Sequence, residues 1–122
     1  MPHIGDNNGI IWNQQHSKDK WSVYVRDIRV GKDGGESIDS SGYETVIDTG
    51  STQIAVPLKL FKKFSKAVEG GGQEVKCGGT ACSFPATGPN LDCDTSKLPS
   101  LYFQFKNELL FEITPEYLVQ RL

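Results

Sequence analysis

The chain has 122 residues, an apolar fraction of 37% and a formal net charge of −2. This length suffices for one compact domain. The small net charge gives no reason to expect nucleic acid or an anionic membrane as a partner, and no apolar stretch approaches membrane-spanning length.

Residues 1–20 are polar and are interpreted as a leader, apart from an apolar patch, Ile10-Ile11-Trp12, that can form a short strand. The start lacks the basic flank and the continuous apolar region of a signal peptide. We therefore expect the chain to be truncated relative to its natural protein.

Residues 21–30 alternate between apolar and polar side chains, which predicts a strand. After Arg26-Asp27 the alternation resumes one residue out of phase, and such a slip is typical of a β-bulge. Residues 31–42 are rich in Gly, Ser and Asp, so we predict a turn or hairpin connection there. A further strand is predicted for Tyr43–Ile47.

After Pro57, which suits a first helical position, apolar side chains recur at helical intervals. These side chains are Leu60, Phe61, Phe64, Ala67 and Val68. Lysines in the later part favour the helix dipole, and Gly70-Gly71-Gly72 ends the pattern. We predict a helix of about three turns here.

The chain contains three cysteines, Cys77, Cys82 and Cys93, which cannot all pair within one chain. Cys77 and Cys82 flank a short flexible segment and can close a tight disulfide loop in an oxidising compartment. A zinc cluster with His3 or His16 is the alternative, and it is disfavoured because neither histidine has finger-like spacing. Residues 73–98 are predicted to be an irregular, disulfide-pinned segment.

Beyond Pro99, alternating apolar side chains predict a hairpin followed by one helical turn. Its strands carry Leu101, Phe103 and Phe105, then Leu109, Phe111 and Ile113, and the helical turn covers 116–118 after Thr114-Pro115. Four aromatic residues are predicted to be core rather than a ligand-stacking platform, since they fall on strand alternation. They are Trp12, Trp21, Phe103 and Phe105.

Asp48 closes the apolar run Val46-Ile47 and opens the turn 49–52, which leads into the apolar run 54–56. A carboxylate so placed lies at a strand end. An isolated Asp-Thr-Gly is more often an ordinary turn, with the Asp side chain as acceptor. The apolar runs on both sides, the following helix and the downstream hairpin distinguish this triplet from an isolated turn.

The stretch TVIDTGSTQIAVP is similar to the active-site loop of pepsin-like aspartic proteases, and only one Asp-Thr-Gly triplet occurs. In order, WSVYVRDIRVG, PLKLFKKFSKAV, LDCDTSKLPSLYFQF and LLFEITPEYL resemble further segments of the C-terminal lobe of that family. The resemblance implies an all-β fold, the C-terminal lobe of the bilobal pepsin-like acid protease, with a β-barrel and one or two short helices. Residues 1–20 would then be a leader or interlobe segment and 21–122 a partial C-terminal lobe.

The resemblance implies an aspartic endopeptidase in which water is activated between two carboxylates, one of them Asp48. Thr49 would hydrogen-bond across the lobe interface, and Gly50 would let the main chain approach the carboxylate. Ser51 would bond the carboxylate or a peptide, and Thr52 would contact substrate. In the second active-site loop of the family, the Asp-Thr-Gly triplet is usually followed by Thr-Ser, whereas in this chain it is followed by Ser51-Thr52. No cofactor and no metal are implied.

Cys93 would pair with a cysteine outside this chain, in the family's C-terminal tail. Peptide or protein substrates and the missing N-terminal lobe, or a second copy of the chain, are the implied partners, with no nucleic acid and no membrane segment. The full-length form would be secreted or lie in the lysosomal or vacuolar lumen. A catalytically inactive single-lobe module of the same fold and a homodimer like the retroviral proteases are the alternatives.

Overall fold

The computed structural model describes residues 12, 14–50, 53–71, 74–79, 81–85, 94–106 and 109–119. The elements are β1 (Ser22–Gly31), β2 (Glu36–Asp39), β3 (Tyr43–Val46), α1 (Leu58–Glu69), β4 (Lys76–Gly78), β5 (Ala81–Ser83), β6 (Ser100–Phe105), β7 (Leu110–Ile113) and α2 (Pro115–Leu118). Strands predominate and both helices are short, so the predicted all-β class is confirmed.

The central strand of the main sheet is β1, and every pairing in that sheet is antiparallel. On one side of β1 lies β6, followed by β7. On the other side, β3 pairs with the first half of β1, residues 22–25, and β2 pairs with the second half, residues 28–30. Over the described residues the sheet is open, so the expected barrel is not seen there.

The phase slip in β1 is a bulge, as predicted from the sequence. The pairing with β6 shifts between Val25 and Asp27, and the pairing with β2 shifts between Ile28 and Arg29. Because the slip resets the alternation of side chains, Val25 and Ile28 both reach the core despite an odd spacing. These two side chains pack with Leu60 of α1 and Leu101 of β6 in the central cluster.

The helix after Pro57 is confirmed within one residue of its predicted start. Pro57 immediately precedes α1 with φ −59, and Leu60 and Val68 are buried on the inner face. The helix ends at Glu69, and the N–H of Gly70 donates to the carbonyl of Lys66 at 3.0 Å. No helix among the described residues is long and apolar enough to cross a membrane.

Two segments that were predicted to lack strands contain them. The connection at 31–42 includes β2, whose sequence, ESID, has no apolar alternation to reveal it. This strand pairs with β1, and in addition Ser37 of β2 donates to the buried Asp27, which Arg29 also contacts at 3.0 Å. Tertiary hydrogen bonding therefore produces a strand where the side-chain pattern predicts a turn.

The segment at 73–98 was predicted to be irregular, but it includes the β4–β5 hairpin. Cys77 and Cys82 lie directly opposite each other in the two strands, and their sulfurs are bonded at 2.08 Å. The expected disulfide is thus present, and it links the two strands of this small sheet covalently.

The prediction that both tryptophans belong to the core is wrong, because Trp12 is 82% exposed and Trp21 is 79% exposed. Trp21 precedes β1, and the buried position at the strand start is taken by Ser22. Phe103 and Phe105, in contrast, are partly buried and pack against the central cluster. Ile10 and Ile11, from the short strand predicted at the start, lie outside the described residues.

Candidate active site

Asp48 lies two residues beyond the end of β3, and the main chain on the way to it is still held by the sheet. The N–H of Ile47 donates to the carbonyl of Trp21 at 2.8 Å, extending the contact between β3 and the start of β1. The side chains of Ile47, Asp48 and Thr49 are exposed. The predicted strand Tyr43–Ile47 is one residue longer than β3. Asp48 directly follows Ile47, the last residue whose main chain is hydrogen-bonded to the start of β1.

The carboxylate is oriented by its own turn. The N–H of Gly50 donates to Oδ1 of Asp48 at 2.8 Å. A Cβ at position 50 would lie 3.2 Å from that oxygen, so any larger residue crowds the bond. This is the hydrogen bond of an ordinary Asx turn, and it is also what a catalytic loop needs in order to hold a carboxylate in one orientation.

An open cleft of about 590 Å³ adjoins this loop. It is lined by Gln15, Trp21, Ser22, Val23, Ile47, Asp48 and Thr49. The walls are largely apolar, and Asp48 is the one carboxylate among these lining residues. The cleft thus places one carboxylate beside largely apolar surface.

The sequence prediction named Asp48 and Thr49, which both line this cleft, but it named none of the lining residues from β1. Trp21, Ser22 and Val23 line it because Ser22 pairs with Val46 and Val23 with Thr45. The sequence shows two strands but not their register, so it carried no signal that Trp21 stands beside Asp48. The predicted site residues Ser51 and Thr52 lie outside the described residues, as does Cys93.

Ser22 is the most deeply buried polar residue at this site. It is 1% exposed, and its Oγ has no hydrogen-bond partner among the described residues. A buried hydroxyl without a partner is unfavourable and uncommon.

The segment before β1 also lines the cleft, through Gln15, and hydrogen bonds hold it in place. The side-chain amide of Gln15 donates to the carbonyls of Ser17 and Lys20, at 2.6 and 2.7 Å. The N–H of His16 donates to the carbonyl of Ser22 at 2.8 Å, and its ring lies 3.4 Å from a carboxylate oxygen of Glu44. Part of the predicted leader therefore packs against the sheet.

Asp39 fixes the turn that leads into β3. Its carboxylate accepts hydrogen bonds from the hydroxyl of Ser41, from the hydroxyl of Tyr43 and, at 2.9 Å, from the N–H of Ser41. These bonds, led by the Ser41 hydroxyl, lower the pKa of Asp39 from 3.8 to about 2. The turn before β3 is therefore fixed by hydrogen bonds to Asp39, whose lowered pKa keeps its carboxylate ionised in moderately acid solution. The main chain that leads to Asp48 begins at this turn.

The disulfide removes Cys77 and Cys82 from any metal site. Among the residues that the structure describes, no group of three His, Cys, Asp or Glu side chains is placed to hold a metal ion.

A family model described as eukaryotic aspartyl protease matches residues 6–121, almost the whole chain. No curated protein and no solved structure matched the chain. The matched range contains the Asp48 loop, the cleft beside it and all the described elements.

Proposed function

The chain belongs to the eukaryotic aspartyl protease family, and on this premise we propose that Asp48 is one of the two catalytic carboxylates of an aspartic-type endopeptidase. The observation that carries the proposal is the exposed carboxylate of an Asp-Thr-Gly turn beside an apolar cleft. The element order resembles the C-terminal lobe, and we assign the chain to that lobe.

In this reaction water is the nucleophile, and neither carboxylate forms a covalent bond to the substrate. One carboxylate takes a proton from the water while the other, protonated, polarises the scissile carbonyl. Aspartic proteases are the general example of two adjacent carboxylates that share one proton, because both cannot carry full negative charge so close together. Asp48 supplies one member of such a pair.

The second carboxylate comes from outside the part of the chain that the structure describes. No other lining residue of the cleft is acidic, and the sequence contains a single Asp-Thr-Gly triplet. We assign the partner carboxylate to an N-terminal lobe in the full-length polypeptide. Without that lobe we expect the chain to be inactive.

The residues after Asp48 orient the pair. The N–H of Gly50 donates to Oδ1 of Asp48 at 2.8 Å, and we propose that Thr49, which lines the cleft, hydrogen-bonds across the interface with a facing lobe. We propose that Ser51 hydrogen-bonds the carboxylate or a bound peptide, and that Thr52 contacts substrate. Main-chain donors of this kind are fixed before the reaction, which is why they stabilise developing charge well.

The substrates are peptides or proteins, bound along the apolar walls that Trp21 and Ile47 form. We propose a secreted protein or one of the lysosomal or vacuolar lumen. The Cys77–Cys82 disulfide supports an oxidising compartment. Cys93, left without a partner by that bond, would pair with a cysteine outside this chain.

The test is hydrolysis of a fluorogenic peptide at acid pH, with and without pepstatin, for this chain alone and for the full-length protein. We expect Asp48→Asn to lower kcat of the full-length protein at least about 100-fold, because a proton-transferring group is lost. Asp33→Asn is the matched control, since it removes the same charge at a left-handed position, φ 53, that Asn tolerates.

Each alternative predicts a different outcome. Wild-type activity in Asp48→Asn would remove this residue from the mechanism. An inactive full-length protein that still binds pepstatin would identify a silent binding lobe. Activity of the isolated chain that rises with the square of its concentration would identify a homodimer of two Asp48 loops.

A further inference from the structure

Four lysines of α1 form a single exposed row, called here the lysine stripe. They are Lys59, Lys62, Lys63 and Lys66. Their spacing of three, four and seven residues puts them on one helix face, and the row is about 10 Å long at 1.5 Å rise per residue. The opposite face packs into the protein through Leu60, Ser65 and Val68.

The stripe concentrates positive charge in a chain that is otherwise acidic. Glu69, at its last position, is the one acidic residue of α1, so the helix carries +3 while the whole chain carries −2. The rest of the chain therefore carries −5. Such segregation of charge is typical of proteins that bind a polyanion.

The stripe is poorly neutralised by its surroundings. Among the described residues, no carboxylate lies within ion-pair distance of Lys59, Lys62 or Lys66. Lys63 donates to the carbonyl of Ile38 at 3.0 Å. Its charge is also a minor cause of the lowered pKa of Asp39, after the hydrogen bonds from Ser41 and Tyr43.

The stripe is only partly favourable to the helix that carries it, since Lys66 in the last turn suits the helix dipole and the other three lysines do not lie there. Lysines three and four residues apart on one face repel each other. Lys59 lies in the first turn, where the helix dipole disfavours a cation, and that turn has no acidic residue and no side-chain cap. Helix stability therefore accounts for Lys66 but not for the whole row of four lysines.

We propose that the lysine stripe of α1 binds a linear sulfated polysaccharide. A row of exposed cations suits a stiff chain whose charges are already fixed, whereas a flexible acidic peptide must lose conformational entropy on binding. Sulfate groups also stay ionised in acid, where the carboxylates of an acidic peptide become protonated near pH 4.

Two other polyanions fit the structure less well. The apolar face of α1 is packed against the sheet, so the helix cannot insert that face into an anionic membrane. The Cys77–Cys82 disulfide indicates an oxidising compartment, which is separate from most cellular nucleic acid. The inference does not depend on Asp48 or on peptidase activity, but the preference for sulfate over carboxylate rests on the acidic compartment of the proposed function.

The experiment measures heparin binding to the full chain by calorimetry at pH 5 and pH 7, over a series of salt concentrations. The stripe variant K59Q/K62Q/K63Q/K66Q is compared with K18Q/K32Q/K76Q/K97Q, which removes the same charge from exposed lysines elsewhere. We expect the stripe variant to bind at least about tenfold more weakly, with a salt slope shallower by about 1 per lysine removed. The control should change little, and binding should persist at pH 5.

Circular dichroism checks that both variants are folded. If the quadruple stripe variant is not folded, K59Q/K62Q replaces it, because this double variant keeps the contact of Lys63 with Ile38. Equal weakening in stripe and control variants would overturn the proposal, because net charge alone would then explain binding. Absence of heparin binding would overturn it as well. Tighter stripe-dependent binding of polyglutamate, RNA or phosphatidylserine vesicles than of heparin would assign the stripe to that other class.

Discussion

At the scale of single residues, hydrogen bonds from nearby groups set the orientation of three carboxylates. Asp48 is oriented by one main-chain N–H, Asp39 accepts from two hydroxyls and one N–H, and Asp27 is shared by Ser37 and Arg29. Asp48 was identified from the sequence because Asp-Thr-Gly is a local pattern. Trp21 and Ser22 were not, because they reach the cleft only through the pairing of β1 with β3.

We expect Ser41→Ala to weaken the fold in a pH-dependent way. The pKa of Asp39 is lowered from 3.8 to about 2, so its ionised form adds stability fully above about pH 4 and loses it as pH falls through about 2. Because this side chain is largely solvated, the loss in Ser41→Ala should stay below about 1 kcal/mol at pH 7. Urea denaturation at pH 7 and pH 2 measures it, and an equal loss at both values would contradict this account.

We expect Arg29→Lys to destabilise the fold by about 2 kcal/mol, because an ammonium group cannot replace the guanidinium fork. Arg29 donates to Oδ2 of Asp27 at 3.0 Å and to the carbonyls of Gly34 and Gly35, each at 2.8 Å. The buried Asp27 would lose its main cationic partner. Urea denaturation tests this, and a stability equal to that of the wild type would show that the fork is not needed.

At the scale of elements, side-chain period predicted the strands and helix that have an apolar face. Helical spacing after Pro57 predicted α1, alternation predicted β1, β6 and β7, and the apolar run Val46-Ile47 lay in the strand predicted at β3. It did not mark β2, which is polar, or β4 and β5, which are three residues each. Those elements are held by tertiary hydrogen bonds and by a covalent bond, and neither leaves a periodic pattern.

We expect the double variant Cys77→Ser with Cys82→Ser to lose about 2 kcal/mol of unfolding free energy, as a short closed loop predicts. The effect should be local, because β4 and β5 form a sheet of their own, and the two cysteines contact α1 at Ser65. Urea denaturation gives the loss, and amide exchange shows whether β1 and β6 stay protected. Reduced wild-type protein should match the variant, and a stability unchanged by reduction would refute this expectation.

At the scale of the whole molecule, β1 is the strand that pairs with β2, β3 and β6 and so connects the Asp48 loop with the core. Its first half pairs with β3, which leads to Asp48, and its second half pairs with β2. Through Val25 and Ile28 it contributes half of the central cluster, beside Leu60 and Leu101. The cleft and the core are therefore built on one strand.

We expect Val25→Ala to cost about 2 kcal/mol of unfolding free energy, since the side chain is 1% exposed and leaves a cavity against α1 and β6. The same change at Val46, which is 56% exposed, should cost less than about 0.5 kcal/mol. Urea denaturation followed by tryptophan fluorescence measures both. Similar losses at the two positions would show that the core does not lie where the structure places it.

The sequence by itself determined the fold class, the bulge in β1, the helix after Pro57 and the position of Asp48 at a strand end, because each depends on residues near one another in the chain. Only the tertiary structure decided which residues share the cleft with Asp48, that both tryptophans are exposed, and that polar or very short segments become strands. Those outcomes depend on strand register and on contacts between distant residues, and a single sequence does not encode them in any local pattern.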